Sequence, residues 1–523
     1  MNTQGITYNL KTSLIKNIID TLNVSPLYLY YARPTDFINS VIPDVLDTII
    51  GENEIKSNIM SLKRIRGSDV APGFKKIEWS SGIIYDQYDS NINMVNKNFY
   101  VITNENKVFK CLNNGNGSAS TFKPIENSGL LSDGYLWQFM FRIPSGVLRK
   151  FAYEEYLPVF EDSLIINSAR PGTVDRIDIL NSGQNYSVFY DGSALPYIPI
   201  FIKGDGIVND SATVNLNVNS GEISNVNIID GGSNYRIVSG KTVVPVMIMQ
   251  KGAEREFVFS GGVNFDYAFG LAKLSVNGVI EDIEIILGGD NYTESEPATV
   301  VQSSSIAYAN LGIGGGIESI DIEYIGSDFS IADAILVSST GIGANLKVSL
   351  SPKFGHGAEP AFELNANNLL ISTNVVLDEN TDFTIENDFR QFGFMRDVLE
   401  FDVAGNIIAG FSSTLSAKES MSLDSPLDVA EDGIVFGEVS GAKALTVDTI
   451  NNTVRVIRPH NNSNQIEFQL NEEIKSATGS ATIVSMQKPE YVPHSGHILY
   501  INNIAAIERS DDQLETINFV LTF

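Results

Sequence analysis

Between residues 166 and 352 the apolar and polar positions fall into a pattern that returns four times. VDRIDILNSGQNY from Val174, ISNVNIIDGGSNY from Ile223, IEDIEIILGGDNY from Ile280 and IESIDIEYIGSDF from Ile317 align without gaps. Each copy is apolar at positions 1, 4 and 6. Each has glycine at position 10 (Gly183, Gly232, Gly289, Gly326) and an aromatic at position 13 (Tyr186, Tyr235, Tyr292, Phe329). The alternation at positions 4 and 6 predicts a half-buried strand. The glycine predicts a turn with positive φ, and the aromatic is expected to fold back as a lid over the strand end.

Short strand-like stretches accompany the copies. ATVNLNV from Ala212, LAKLSV from Leu271 and AYANLGI from Ala307 each precede one closely, and GANLKV from Gly343 follows the last. Tight connections such as NSGE at 219–222 predict hairpins. The copies start 49, 57 and 37 residues apart. A solenoid keeps a fixed period, so small β domains built from repeated hairpins are expected instead.

Elsewhere the periodicity changes. Residues 1–65 read as helical: Leu10, Leu14, Ile15, Ile18, Ile19 and Leu22 follow a 3.6 period. Asp36 is a candidate cap for a short helix carrying Ile38, Val41 and Ile42, ended by Pro43. Ile55, Ile59, Met60 and Leu62 read as a further helix face. From Lys75, KKIEWSSGIIYDQYD and NFYVITNENKVFKCLNN read as short strands, and GYLWQFMFRIP from Gly134 as an aromatic core strand. In 404–487, GEVSGAKALTVDTINNTVRVI and EEIKSATGSATIV predict a small β-barrel-like domain. The expected fold is mainly β: a β-sandwich-like core with a few N-terminal helices, discontinuous over 1–165, 355–403 and 488–523. It carries two inserted β domains, at 166–354 and 404–487.

The 523 residues are 43% hydrophobic, enough for several packed cores. No apolar run nears the ~20 residues that span a bilayer, so no membrane insertion is expected. The first residues carry no secretory pattern. Cys111 is the only cysteine, which excludes an internal disulfide framework and fits folding in a reducing cytoplasm. The net charge of −28 is uneven: residues 1–160 hold 16 basic and 15 acidic side chains, residues 161–523 hold 19 and 48. Such a surface repels nucleic acid and anionic lipid.

Candidate chemistry is sparse. HSGH puts His494 and His497 three apart, but a proline and a glycine favour a turn, and the remaining histidines, His356 and His460, are distant in sequence. LGIGGGIE at 311–318 lacks both phosphate-loop patterns and reads as a hairpin turn. DQYDSN at 86–91 lacks a calcium-loop spacing. Cys111 reads as a buried, inert thiol, and KRIR at 63–66 as a solvated helix face. No acid/base pair stands out. No catalytic, metal or cofactor site is expected, and the chain reads as non-enzymatic.

Some stretches resemble a known family. MSLKRIRGSDVAPGFKKIEWSSGIIYDQYD (60–89), FYVITNENKVFKCLNNGNG (99–117), SDGYLWQFMFRIPSG (132–146), NDFRQFGFMRDVLE (387–400) and YVPHSGHILYINNIAAIERSDDQLETINFVLTF (491–523) are similar to the baseplate wedge protein called gene product eight, of T4-type contractile-tailed phages. The resemblance covers about half of the chain and leaves out both predicted insertions. Glycine-tyrosine β repeats of this kind are similar to those inserted in structural proteins of marine phages of that type. The resemblance implies a mainly β, non-enzymatic structural subunit of the virion tail baseplate, assembled in the host cytoplasm. It implies a homodimer in contact with other wedge proteins and transfers no site residue. A second expectation comes from the repeats: exposed Tyr186, Tyr235 and Tyr292 would suit a carbohydrate-binding or carbohydrate-cleaving tail protein.

Overall fold

LYLYYA, Leu27–Ala32, forms a strand buried along its whole length. It has no polar face because it lies inside a sheet covered on both sides. The computed structural model describes residues 8–34, 41–45, 48–188, 197–205, 207–238, 241, 243–250, 267–294, 296–376, 383, 387–430, 433–458, 466–509 and 514–522. The protein is mainly β with a few short helices. Its chain packs as two units, one made of 1–74, 146–158 and 366–523, the other of 75–145 and 159–365. Residues 75–145 thus pack with the repeat region, whereas the sequence grouped them with the N-terminal segment.

In the first unit, the helix Tyr8–Thr21 turns Ile15 and neighbouring Leu22 into the core, and Thr12 donates to the carbonyl of Ala366 at 3.0 Å. Two sheets share that core. One orders Thr414–Ser416, Ile59–Ile65, Leu27–Ala32, Asn387–Arg396 and His497–Arg509; the other orders Leu514–Thr522, Asn368–Val376, Val70–Lys75 and Tyr156–Pro158. The expectation that residues 1–65 are helical fails at two places. Leu27–Ala32 is a strand, and the helix Ile49–Asn58, capped by Thr48, gives way to the strand Ile59–Ile65. Ile59, Met60 and Leu62 match a helical period only by coincidence, and KRIR lies at the end of a strand rather than on a helix face. Asp36 and Ile38 lie outside the described residues; Val41 and Ile42 are exposed and not helical.

Within 404–487, six strands between Glu419 and Gln487 close into a barrel around Met421, Val435, Val454, Val456, Ile474 and Ile483.

In the second unit, the strands Tyr100–Ile102, Lys107–Asn114 and Tyr135–Arg142 form a sheet whose core includes Tyr85, Phe109, Cys111, Tyr135 and Trp137. The four repeat strands are Val174–Gln184, Glu222–Asp230, Ile280–Leu287 and Ile317–Ile325. Three pair with the strand just before them; the first instead pairs with Ile342–Leu350, the GANLKV strand far downstream.

All four pairs carry the same two irregularities. The ladder skips one residue at motif position 2 (Asp175, Ser224, Glu281, Glu318) and one at position 7 (Leu180, Ile229, Ile286, Glu323). A bulge adds one residue to one strand. The first bulge explains why the motif is apolar at positions 1 and 4: three residues apart in a regular strand would face opposite ways. With the bulge, Ile280 and Ile283 enter one core, as do Ile223 and Val226.

Repeats two and three build one six-stranded sheet, ordered 222–230, 207–219, 298–303, 243–250, 268–274, 280–287. Its ends meet: the Ile223 N–H donates to Gly288 and the Ile280 N–H to Gly231, both at 2.9 Å. Repeats one and four build the equivalent arrangement. Ile317–Ile325, Ser305–Leu311, Ile198–Gly204 and Ala332–Leu336 form a sheet, and the Ile342–Leu350/Val174–Gln184 pair lies beside both of its outer strands. Its core holds Val174, Ile198, Ile200, Ala307, Ile317, Phe329 and Val348. The second module is nested in the chain between the Ile198–Gly204 and Ser305–Leu311 strands of the first. Phe201, Ile335 and Val337 of the first module pack against Met247, Phe269 and Val301 of the second.

Candidate functional site

The residues singled out in the repeats form one recurrent corner. Gly183, Gly232, Gly289 and Gly326 have φ of 63°, 63°, 62° and 65°. An added Cβ at Gly289 would stand 2.6 Å from the Ala268 nitrogen and 2.6 Å from the Tyr292 ring, so both conformation and space demand glycine. Two residues later Asn185, Asn234, Asn291 and Asp328 also have positive φ, from 61° to 66°. Asn and Asp tolerate that region better than other side chains. This second requirement is visible in the sequence as an invariant Asn or Asp within the four copies.

The aromatic then folds over the strand end. Tyr235 and Tyr292 are 5% and 3% exposed. The Tyr292 hydroxyl donates to the Ile248 carbonyl at 2.7 Å and accepts from the Ala268 N–H at 2.8 Å. Tyr235 repeats this with Val300 at 2.6 Å and Ala212 at 3.2 Å. Tyr186 is half-buried and accepts from Ala344 at 3.2 Å. Phe329 has no hydroxyl. There the matching N–H, of Ser305, donates instead to the Ser303 hydroxyl at 3.2 Å.

Each lid is also gripped by a turn belonging to another repeat. Tyr235 donates its N–H to Gly278 at 3.1 Å, in the turn leading into repeat three; Tyr292 donates to Gly221 at 2.8 Å, in the turn leading into repeat two. Tyr186 donates to Gly315 at 2.9 Å, and Phe329 to Gly172 at 3.2 Å. The repeats therefore lock in reciprocal pairs, two with three and one with four.

Among the described residues, the other sequence candidates sit in turns, strands and the core. His494 has φ 63° in a turn, and His497 begins a strand; among the described residues no group of three or more metal-ligating side chains forms. His460 lies outside the described residues. Gly314 and Gly315, with φ of 89° and 69°, make the hairpin turn expected of LGIGGGIE. Asp86 accepts from the Asn98 N–H at 2.9 Å and pairs with Lys97. Cys111 is fully buried, and burial pushes its thiol pKa up.

A polar cluster that the sequence did not reveal lies inside the second unit. Lys110, on the Lys107–Asn114 strand, is fully buried and ion-paired with Glu363. The Glu363 carboxylate also accepts, at its other oxygen Oε1, from the backbone N–H groups of Gly357 at 2.7 Å and Glu359 at 3.3 Å. His356 faces the oxygen Oε2 that meets Lys110, with its Nδ1 3.9 Å away and without a hydrogen-bond partner. Its Nε2 lies 2.9 Å from both oxygens of Asp175. Asp175 is the extra residue of the first bulge in repeat one, which is why its side chain is not opposite a ladder partner.

Tyr88 walls the cluster: the Lys110 ammonium sits 4.4 Å from its ring centre, and the His356 ring meets it edge-on at 5.8 Å. Burial raises the Tyr88 pKa, and the carboxylates of Glu363, Asp175 and Asp89 raise it further. Next to Asp175, Arg176 grips Asp178 on both oxygens and donates to the carbonyls of Tyr88 and Leu112. Lys347 pairs with Asp89. Chemically, the center of the cluster holds an amine, a carboxyl group with two backbone donors on one oxygen, and a histidine oriented by an aspartate. It is closed to solvent, with the side chains of Lys110, Glu363, His356 and Asp175 at most 9% exposed.

A scan against protein-family models matches no family, and a search of curated proteins finds no match. No helix among the described residues is long and apolar enough to cross a membrane.

Proposed function

We propose that this chain is a structural subunit of a phage baseplate wedge, a homodimer that holds neighbouring wedge proteins and relays the baseplate change that triggers sheath contraction. The observation that carries the reading is the resemblance of 60–89, 99–117, 132–146, 387–400 and 491–523 to the gene product eight family. The strands Ile59–Ile65, Asn387–Arg396 and His497–Arg509, far apart in sequence, belong to one sheet, so three of these stretches meet in one place. Stiffness also favours a mechanical role: packed, bistable cores transmit strain instead of deforming smoothly, and the repeat modules are locked corner to corner.

The sugar-binding expectation needs open aromatic faces. Tyr235 and Tyr292 are buried with both hydroxyl functions engaged, so neither offers one.

Mass spectrometry and electron microscopy of purified phage tails test the proposal. The chain is expected in the tail fraction at a fixed ratio to other baseplate proteins, with density in the wedge. Its absence from purified tails, or its production in uninfected cells, overturns the reading.

A further inference from the structure

We propose that Lys110 and Glu363 join in an isopeptide bond, an internal cross-link that the protein makes in itself. Three features of the buried cluster converge on this. The nucleophile and the carboxyl group are in direct contact, with water excluded. The carboxyl oxygen Oε1 already receives two backbone N–H donors, from Gly357 and Glu359, the arrangement that stabilises a developing oxyanion. His356 presents an unpartnered Nδ1 toward the other oxygen, and Asp175 fixes the ring from the opposite side, as in an orienting dyad. No small molecule needs to enter, which fits a cluster without access to solvent.

The step balances without a cofactor. The Lys110 ammonium passes a proton to Glu363 across their contact, giving an amine and a carboxylic acid. The amine lone pair forms the C–N bond at the carboxyl carbon, and the carbonyl electron pair moves onto Oε1, held by the Gly357 and Glu359 N–H groups. The carbonyl then re-forms and the bond from carbon to Oε2 breaks. His356, its Nε2–H held by Asp175, takes a proton at Nδ1 from the newly bonded nitrogen and passes it to Oε2, which departs as water. One ammonium and one carboxylate become one amide and one water. Holding the groups in contact removes the entropy cost that makes this condensation slow in solution.

The bond would tie the Lys107–Asn114 strand to the short helix Pro360–Glu363, across 253 residues of chain that include all four repeats. In a mechanical subunit, that closure stops the repeat region from being pulled open between these two points.

The test is the intact mass of the full-length protein under denaturing conditions, followed by proteolysis. The expected mass is one water below that of the sequence, with a branched peptide joining the segments of Lys110 and Glu363. Lys110→Met and Glu363→Ala are expected at full sequence mass, and His356→Phe as a mixture that loses the water slowly. The wild-type measurement does not depend on whether any variant folds. A wild-type mass equal to the sequence, with separate unmodified peptides, overturns the proposal; so does a water loss that maps to other residues. Complete, unslowed cross-linking in His356→Phe removes the role given to the histidine.

Discussion

Tyr292 donates its backbone N–H to the carbonyl of Gly221 at 2.8 Å, so the lid of one repeat closes on the turn of another. Tyr235 and Gly278 make the converse bond, at 3.1 Å. Each corner is therefore held from two directions, and damage to one is expected to loosen its partner.

Gly289→Val tests the backbone of that corner. Valine must adopt φ near 62° and place Cβ against the Ala268 backbone and the Tyr292 ring. Strain of this kind costs on the order of 1–3 kcal/mol for conformation alone, and the clash adds to it. Thermal or denaturant unfolding of the variant should show a lower midpoint; an unchanged melt would refute the role assigned to the turn.

Removing a lid hydroxyl isolates its hydrogen bonds. Tyr292→Phe leaves the Ala268 N–H and the Ile248 carbonyl buried without their partner. A loss of about 1–3 kcal/mol is expected for unsatisfied buried groups. Tyr186→Phe should cost less, because Tyr186 is half-buried. Equal effects would contradict the difference in burial.

The fourth repeat offers a rescue experiment. Ser303 takes the Ser305 N–H that a tyrosine would take in the other repeats. Ser303→Ala should destabilise by about 1–3 kcal/mol, and adding Phe329→Tyr should recover part of the loss. A double-mutant cycle measures that coupling; strict additivity would show that the four corners are not equivalent.

Acid should weaken the 419–487 barrel through Glu472. Burial raises its pKa, but the N–H groups of Gln469, Ser440 and Val439 and the Ser440 hydroxyl outweigh burial, and the folded pKa lies below the ordinary 4.5. A depressed carboxylate pKa contributes stability above the unfolded value, which is lost as pH falls through the folded one. Stability should therefore decline below pH 4.5, and Glu472→Gln should flatten that decline while lowering stability at neutral pH. Denaturant midpoints across pH for both proteins give the comparison.

Cys111 should resist alkylation in the folded protein, because the thiol is buried and burial disfavours the reactive thiolate. Mass-detected labelling should appear only as denaturant unfolds the protein. Rapid labelling of the native chain would place Cys111 outside the core.

The repeats were legible because each device has a residue type attached to it: glycine for positive φ, a spaced apolar pattern for the core, an aromatic for the lid. The bulge at position 2 was written in the spacing of apolar positions 1 and 4. Leu27–Ala32 was missed because a strand buried on both faces shows no alternation. Ile59, Met60 and Leu62 misled because a helix ends immediately before them. The Lys110–Glu363 cluster had no local signal at all: its members come together only through tertiary folding, and in so acidic a chain one more glutamate attracts no notice.

Thr173 and Ser351 bracket the four repeats and are bonded to each other: the Thr173 N–H donates to the Ser351 hydroxyl at 3.0 Å, and the Ser351 N–H to the Thr173 carbonyl at 2.9 Å. The inner module has the same property, since Ile207 and Ser303 are ladder partners. Both are thus cassettes whose two ends emerge side by side, one clipped inside the other. Such pieces can be cut out and spliced into a host loop with a short bridge, and a lineage could gain or shed them without rebuilding the sheets that carry them.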